Sequence, residues 1–139
     1  QFLASMVDKI PFKKKLDYQV TFHDPCYLGR HNNEFEAPRR LLEAIPGITF
    51  TEMPRSRENG YCCGGGGGGM WLDGFNGDFI TERLSERRVR EAVDTGAKVL
   101  ALCCPYEPSR FEDAVKSTKN DDNLIVKDIV ELIDESIGG

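Results

Sequence analysis

Five cysteines stand at three stations in this chain: Cys26, Cys62-Cys63 and Cys103-Cys104. Six glycines, Gly64 to Gly69, follow the second station directly. Thiolates select soft ions: iron–sulfur clusters, zinc or copper(I). Zinc is usually gripped by knuckles with two to four residues between the cysteines. Adjacent cysteines close poorly around one ion, whereas a polynuclear cluster offers each neighbour a different iron. An iron–sulfur cluster is therefore the first reading, with Cys26, Cys62, Cys63, Cys103 and Cys104 as its candidate ligands. Gly64, Gly65 and Gly66 lead a run with no side chain to obstruct close approach. Glycine tolerates positive φ cheaply, and its N–H groups can face cluster sulfurs and raise the reduction potential. Inert buried thiols are the plain alternative, disfavoured by the pairing beside glycines. A vicinal redox pair ranks last, because it needs a distorted peptide.

These stations are spaced by an alternation of strands and helices. Gln19 to His23 reads as a strand ending at Asp24-Pro25. Ala37 to Ile45 reads as a helix with Pro38 in its first turn, stopped by Pro46-Gly47. Ile48 to Met53 alternates and predicts a second strand, followed by a charged loop from Pro54 to Tyr61. Asp78 to Thr95 is expected to be the longest helix, closed by Gly96. Lys98 to Leu102 is a short, nearly continuous apolar run, as in a central strand. A helix at Pro108 to Ser117, a strand at Leu124 to Val126 and a helix at Asp128 to Ile137 complete the chain. The expected fold is α/β, a parallel Rossmann-like sheet of about four strands with flanking helices. Strand C-termini in such sheets share an edge where ligands bind, so the topology should gather the three cysteine stations.

Composition narrows the rest. The 139 residues fit one compact domain, with 40% apolar and 29% charged residues. A net charge of −5 argues against a nucleic-acid surface. No apolar run approaches the roughly 20 residues of a membrane helix, and no secretory signal is visible. An odd cysteine count forbids complete pairing within the chain, and thiols kept for metal or redox work suit a cytoplasmic protein. The chain opens on Gln1, and a fragment of a longer protein is the expectation. Residues 1–17 then read as a linker or the tail of a preceding domain, and 18–139 as the cysteine-rich domain. His23 reads first as a strand-end structural residue, and second as a neutral imidazole at a cluster edge. His31 reads as surface, Arg30 as a structural ion-pair partner, and Trp71 as a core or interface anchor. Glu82, Arg83, Glu86, Arg87, Arg88 and Arg90 read as a solvated helix face.

His23-Asp24-Pro25-Cys26-Tyr27-Leu28-Gly29-Arg30, Cys62-Cys63 with the glycines behind it, and Cys104-Pro105-Tyr106 together resemble the cysteine-rich CCG domain. That family includes heterodisulfide reductase catalytic subunits and the iron–sulfur subunits of glycolate oxidase. The resemblance runs from about Tyr18 to the end. It implies a four-iron cluster, in some members noncubane, used for electron transfer or disulfide reduction. It implies as partners an upstream ferredoxin-like domain or other redox subunits, one of which could tie the protein to a membrane. The family's last motif is Cys-Pro-x-Cys, and here Glu107 stands at its final position. Three readings stay open: Cys103 supplies the fifth thiol, Glu107 is an oxygen ligand, or the site is incomplete. In the last case the alternative function is a metal-free or zinc-bearing docking domain, and an isolated domain could lack its cluster.

Overall fold

The computed structural model describes residues 1–72 and 80–138. Four parallel strands form one sheet: β1 (Gln19–Phe22), β2 (Thr49–Phe50), β3 (Val99–Leu102) and β4 (Ile125–Asp128), in the order β2-β1-β3-β4. The register pairs Val20 with Phe50 on one side and with Val99 on the other, and Leu100 with Val126. Among the described residues the α-helices are α1 (Phe2–Ser5), α2 (Glu36–Ala44), α3 (Leu84–Asp94), α4 (Glu107–Ser117) and α5 (Ile129–Ile137).

The period of two along β3 sorts the core into two layers. Val99 and Ala101 join Val20, Phe22, Leu41, Leu42, Ile129 and Leu132 beneath α2 and α5. Leu100 and Leu102 join Val89, Ala92, Phe111, Ala114 and Leu124 beneath α3 and α4. A strand buried on both faces needs the unbroken apolar run that the sequence shows there. The parallel α/β fold expected from the alternation is the fold found. Residues 1–17 lie on the first layer: Ala4 and Leu16 are buried in it. The N–H groups of Lys13 and Lys14 donate to Ser136 O, at 2.8 and 2.9 Å, and Leu16 N–H donates to Pro46 O at 3.0 Å.

Two elements are shorter than expected. β2 stops at Phe50 instead of Met53, because Glu52 turns to meet Arg39 and Met53 drops into the second core layer. The helix expected from Asp78 begins at Leu84. Arg83 is extended there, and its N–H donates to Glu86 Oε2 at 2.9 Å. Asp78 and Phe79 lie outside the described residues. Arg88 is not on a solvated face: it is fully buried. Burial is tolerated because its guanidinium donates to Glu91 Oε2 at 2.8 Å, to Arg55 O, and to His23 Nδ1 at 3.2 Å. Trp71 is not in the core, being 80% exposed.

The sheet order places a switch between β1 and β3, since the chain leaves β1 for β2 on one side and returns to β3 on the other. Ligands of open α/β sheets sit at that crevice. His23 extends the ladder one residue past β1, its N–H donating to Ala101 O at 3.0 Å. Cys26 leaves from one side of the switch and Cys103-Cys104 from the other.

Candidate metal centre

Asp24 organises the first station. Buried Arg39 on α2 donates to both its oxygens, at 2.7 and 2.9 Å, and Arg57 N–H adds a third bond to Oδ2 at 2.7 Å. The turn carrying Cys26 is thus fixed to α2 and to the loop that leads into Cys62. Arg30 does the same from the next turn, donating to Gly60 O at 3.0 Å, a structural role, though its partner is a carbonyl instead of a carboxylate. Tyr61 lies under the guanidinium groups of Arg55 and Arg87, 4.3 and 5.2 Å from its ring centre, and holds the approach to Cys62. His31 is exposed, as expected.

Cys26, Cys62 and Cys63 line one cavity of about 50 Å³ together with His23, Asp24 and Gly60. Cys103 and Cys104 line an adjoining cleft of about 390 Å³, with Tyr27 and Tyr106. Pro25 is common to both. Burial, then the carboxylate of Glu107, pushes the Cys103 thiol far above its ordinary value. Burial raises Cys63 to about 11, with Glu107, Cys62 and Cys26 adding to it. Cys104 is raised less, by burial, because the N–H groups of Tyr106 and Glu107 at the start of α4 offset it. These thiols hold protons unless a cation takes their place.

The glycine run meets the thiols through its backbone. Gly64 N–H donates to Cys62 Sγ at 3.3 Å and Gly65 N–H to Cys63 Sγ at 3.4 Å. Gly66 itself is exposed, and neither of these bonds involves it. Gly66–Trp71 then forms tight turns with positive φ at Gly67 and Gly68. A Cβ on Gly69 would lie 2.7 Å from Gly64 O, whereas one on Gly66 would meet nothing within 4 Å. Gly69→Ala is therefore expected to cost about 1 kcal/mol and to lower metal retention, with Gly66→Ala close to neutral. Thermal melts and iron counts of the two variants check this.

Glu107 is the residue whose setting the sequence disclosed least. It opens α4, is 1% exposed, and one of its carboxylate oxygens lies 3.5 Å from His23 Nε2. Burial, then Asp128 and Asp24, pushes its carboxyl up to about 8. His23 is equally buried, and desolvation and Arg88 lower it to about 3, so the imidazole is neutral. Its ring stands edge-on to Phe111, 4.8 Å between centroids. One donor atom each from His23, Cys63 and Glu107 lie within 4.8 Å of one another. Arg39 and Arg110 also escaped the sequence reading. Arg110 lies buried against Cys63 O, to which its Nε–H donates at 3.3 Å. An arginine inside an otherwise amphipathic helix is the only signal either gave.

Soft donors from three loops, two N–H···S bonds and an unobstructed glycine backbone fit an iron–sulfur group. Fold and site thus define a parallel α/β domain with a thiol-lined crevice at its switch point. The chain belongs to the cysteine-rich CCG domain family, which matches residues 20–106. It is similar to a subunit of the dihydromethanophenazine:CoB–CoM heterodisulfide reductase of Methanosarcina barkeri, 41% identical over 99% of this chain and 33% of that protein. It is similar also to the probable iron-sulfur-binding oxidoreductase FadF of Bacillus subtilis, 38% identical over 100% of this chain and 19% of that one. A third relative is the EtfAB:quinone oxidoreductase of Syntrophomonas wolfei, 30% identical over 96% of this chain and 19% of the relative. The chain thus spans a third or less of these relatives. No solved structure matches it. Among the described residues no helix is long and apolar enough to cross a membrane.

Proposed function

We propose that this domain holds a four-iron iron–sulfur cluster and serves a larger cytoplasmic oxidoreductase resembling heterodisulfide reductase, in electron transfer or disulfide reduction. The observation that supports this reading most is that the three cysteine stations line two adjoining cavities sharing Pro25, with backbone N–H groups bonded to the sulfurs of Cys62 and Cys63. Cys26, Cys62, Cys63 and Cys104 would hold the cluster, and Cys103 stands beside them. When bound, such a cluster supplies one-electron transfer at a potential set by charge, hydrogen bonds and exposure.

The chain's own residues set those three conditions. Gly64 and Gly65 N–H groups withdraw charge from two thiolates. Arg110 brings a cation to the backbone of Cys63. Cys62 is exposed while Cys63 is buried, so one corner of the site faces outward and the other is closed by the core. Tyr27 and Tyr106, both exposed, flank the Cys103-Cys104 cleft and leave it accessible to a sulfur substrate or to a redox partner. That partner would be a ferredoxin-like domain upstream in the same protein, or a separate subunit, in keeping with the fraction of each relative that this chain spans.

Anaerobic reconstitution with iron and sulfide, followed by visible absorption and iron counting, tests the reading. We expect a brown protein with about four irons per chain, and marked loss of iron in Cys62→Ser, an exposed position where the change leaves the fold intact. A folded, colourless protein after reconstitution would overturn it.

A further inference from the structure

Glu107 presents a problem that the thiols do not solve. A buried carboxyl keeps its charge only when paired, hydrogen-bonded or bound to a metal, and otherwise takes a proton. Oε1 of Glu107 faces His23 Nε2 at 3.5 Å, but Oε2, also buried, has no hydrogen-bond partner among the described residues. The charges felt most by this carboxylate are Asp128 and Asp24, both of its own sign. The nearby cation, Arg88, is on the far side of the imidazole, with its Nε–H donated to Nδ1. That bond fixes the tautomer: Nδ1 accepts, so Nε2 carries the hydrogen and turns it toward Oε1. The relay therefore orients the carboxylate through one oxygen and leaves the other unsatisfied.

The Glu107 side chain belongs to the thiol site. A carboxylate oxygen of Glu107, Cys63 Sγ and a His23 nitrogen lie within 4.8 Å of one another. Glu107 also follows Cys104 by three residues, and its N–H donates to Cys104 O at 3.0 Å, so the two side chains leave one turn on neighbouring faces. Ligating carboxylates are themselves normally held by a second hydrogen bond, and His23 Nε2, 3.5 Å from Oε1, is the group placed to supply one.

We propose that Glu107 is an oxygen ligand to one iron of the cluster, through Oε2, with His23 and Arg88 as positioning residues. This rests on the cluster reading above and deepens it: one iron would differ from the others in having a hard donor. Iron bound by oxygen is distinguishable from iron bound only by sulfur, whatever the domain's activity.

The test is Mössbauer spectroscopy of the domain reconstituted with ⁵⁷Fe, for wild type, Glu107→Ala, Glu107→Gln and Glu107→Cys. In the wild type we expect one separate doublet carrying about a quarter of the absorption of a four-iron cluster. Glu107→Ala and the near-isosteric Glu107→Gln should keep the fold and change or lose that doublet. Glu107→Cys should restore full iron with all sites sulfur-like. His23→Asn should shift the same doublet and leave the other irons unmoved, which a purely structural role for His23 would not do. Four irons with an unchanged spectrum in both Glu107→Ala and Glu107→Gln would overturn the ligand role while leaving the cluster standing. A wild-type protein that is folded and takes up no iron would overturn the cluster reading, and this proposal with it.

Discussion

Arg39→Ala is expected to cost about 3–5 kcal/mol of stability, enough to lower the melting temperature by roughly 10 °C or more. Arg39 is 3% exposed and spends its whole guanidinium. It donates twice to Asp24, twice to Glu52 at 2.5 and 3.0 Å, and once to Phe35 O at 2.7 Å. Its charge centre also lies 5.5 Å from the ring centre of Phe22. Removing it strands Asp24, itself 9% exposed, with the Arg57 N–H in partial compensation. An uncompensated buried charge costs more than the ion pair itself contributed. The effect should reach the metal centre, because Asp24 ties the Cys26 turn to the loop before Cys62. Urea unfolding of Arg39→Ala, Asp24→Asn and the double variant measures the coupling. Additive losses would show that the pair does not act as a unit.

The sequence revealed the fold through features that burial makes visible. The run from Lys98 to Leu102 is apolar at every position after Lys98 because β3 is covered on both faces. Pro46-Gly47 and Gly96 mark helix ends because φ at Gly47 and Gly96 is positive. The cysteine stations were legible because thiols beside glycines have few other uses. What was not legible is the charged interior. Arg39, Arg88 and Arg110 look like ordinary surface arginines in their helices, and only tertiary structure shows the carboxylates and carbonyls that take them in. Glu107 stands out in the sequence as a departure from a motif, but its burial against His23 follows from the start of α4 lying beside the residue that ends β1. A linear pattern of residues carries no trace of that meeting. The end of the strand at Thr49–Phe50 left a partial trace: alternation runs from Ile48 to Thr51 and breaks at Glu52, which an arginine on another helix recruits away from the sheet.

These buried polar groups share a direction. Asp24 is held by Arg39 from the α2 side, His23 by Arg88 from the α3 side, and Cys63 O by Arg110 on α4. Each of these helices thus sends one arginine toward the crevice. The cations serve the residues adjoining the candidate ligands, namely Asp24, His23 and the Cys63 carbonyl. The sulfurs of Cys62 and Cys63 receive backbone N–H groups. Fixed dipoles at the sulfurs and the charges behind them would tune the reduction potential of a bound cluster without occupying the space it needs.

Phe111→Ala should be the most damaging apolar substitution near the site, at about 3–5 kcal/mol. Phe111 is fully buried, packs in the layer with Met53, Cys63, Val89 and Leu102, and supports the edge of the His23 ring. It lies four residues after Glu107, so the two share one face of α4. Truncation opens a cavity behind His23, and the imidazole loses the wall that keeps Nε2 turned toward Glu107. The loss should therefore appear twice, as a lower urea midpoint and as weaker iron retention at temperatures where the variant is still folded. Phe111→Leu fills most of the space and should recover most of the stability. Because leucine restores volume without an aromatic edge, iron retention that follows stability across both variants would assign Phe111 to packing alone. Retention that stays low in Phe111→Leu, with stability recovered, would show that the ring also sets the imidazole against Glu107.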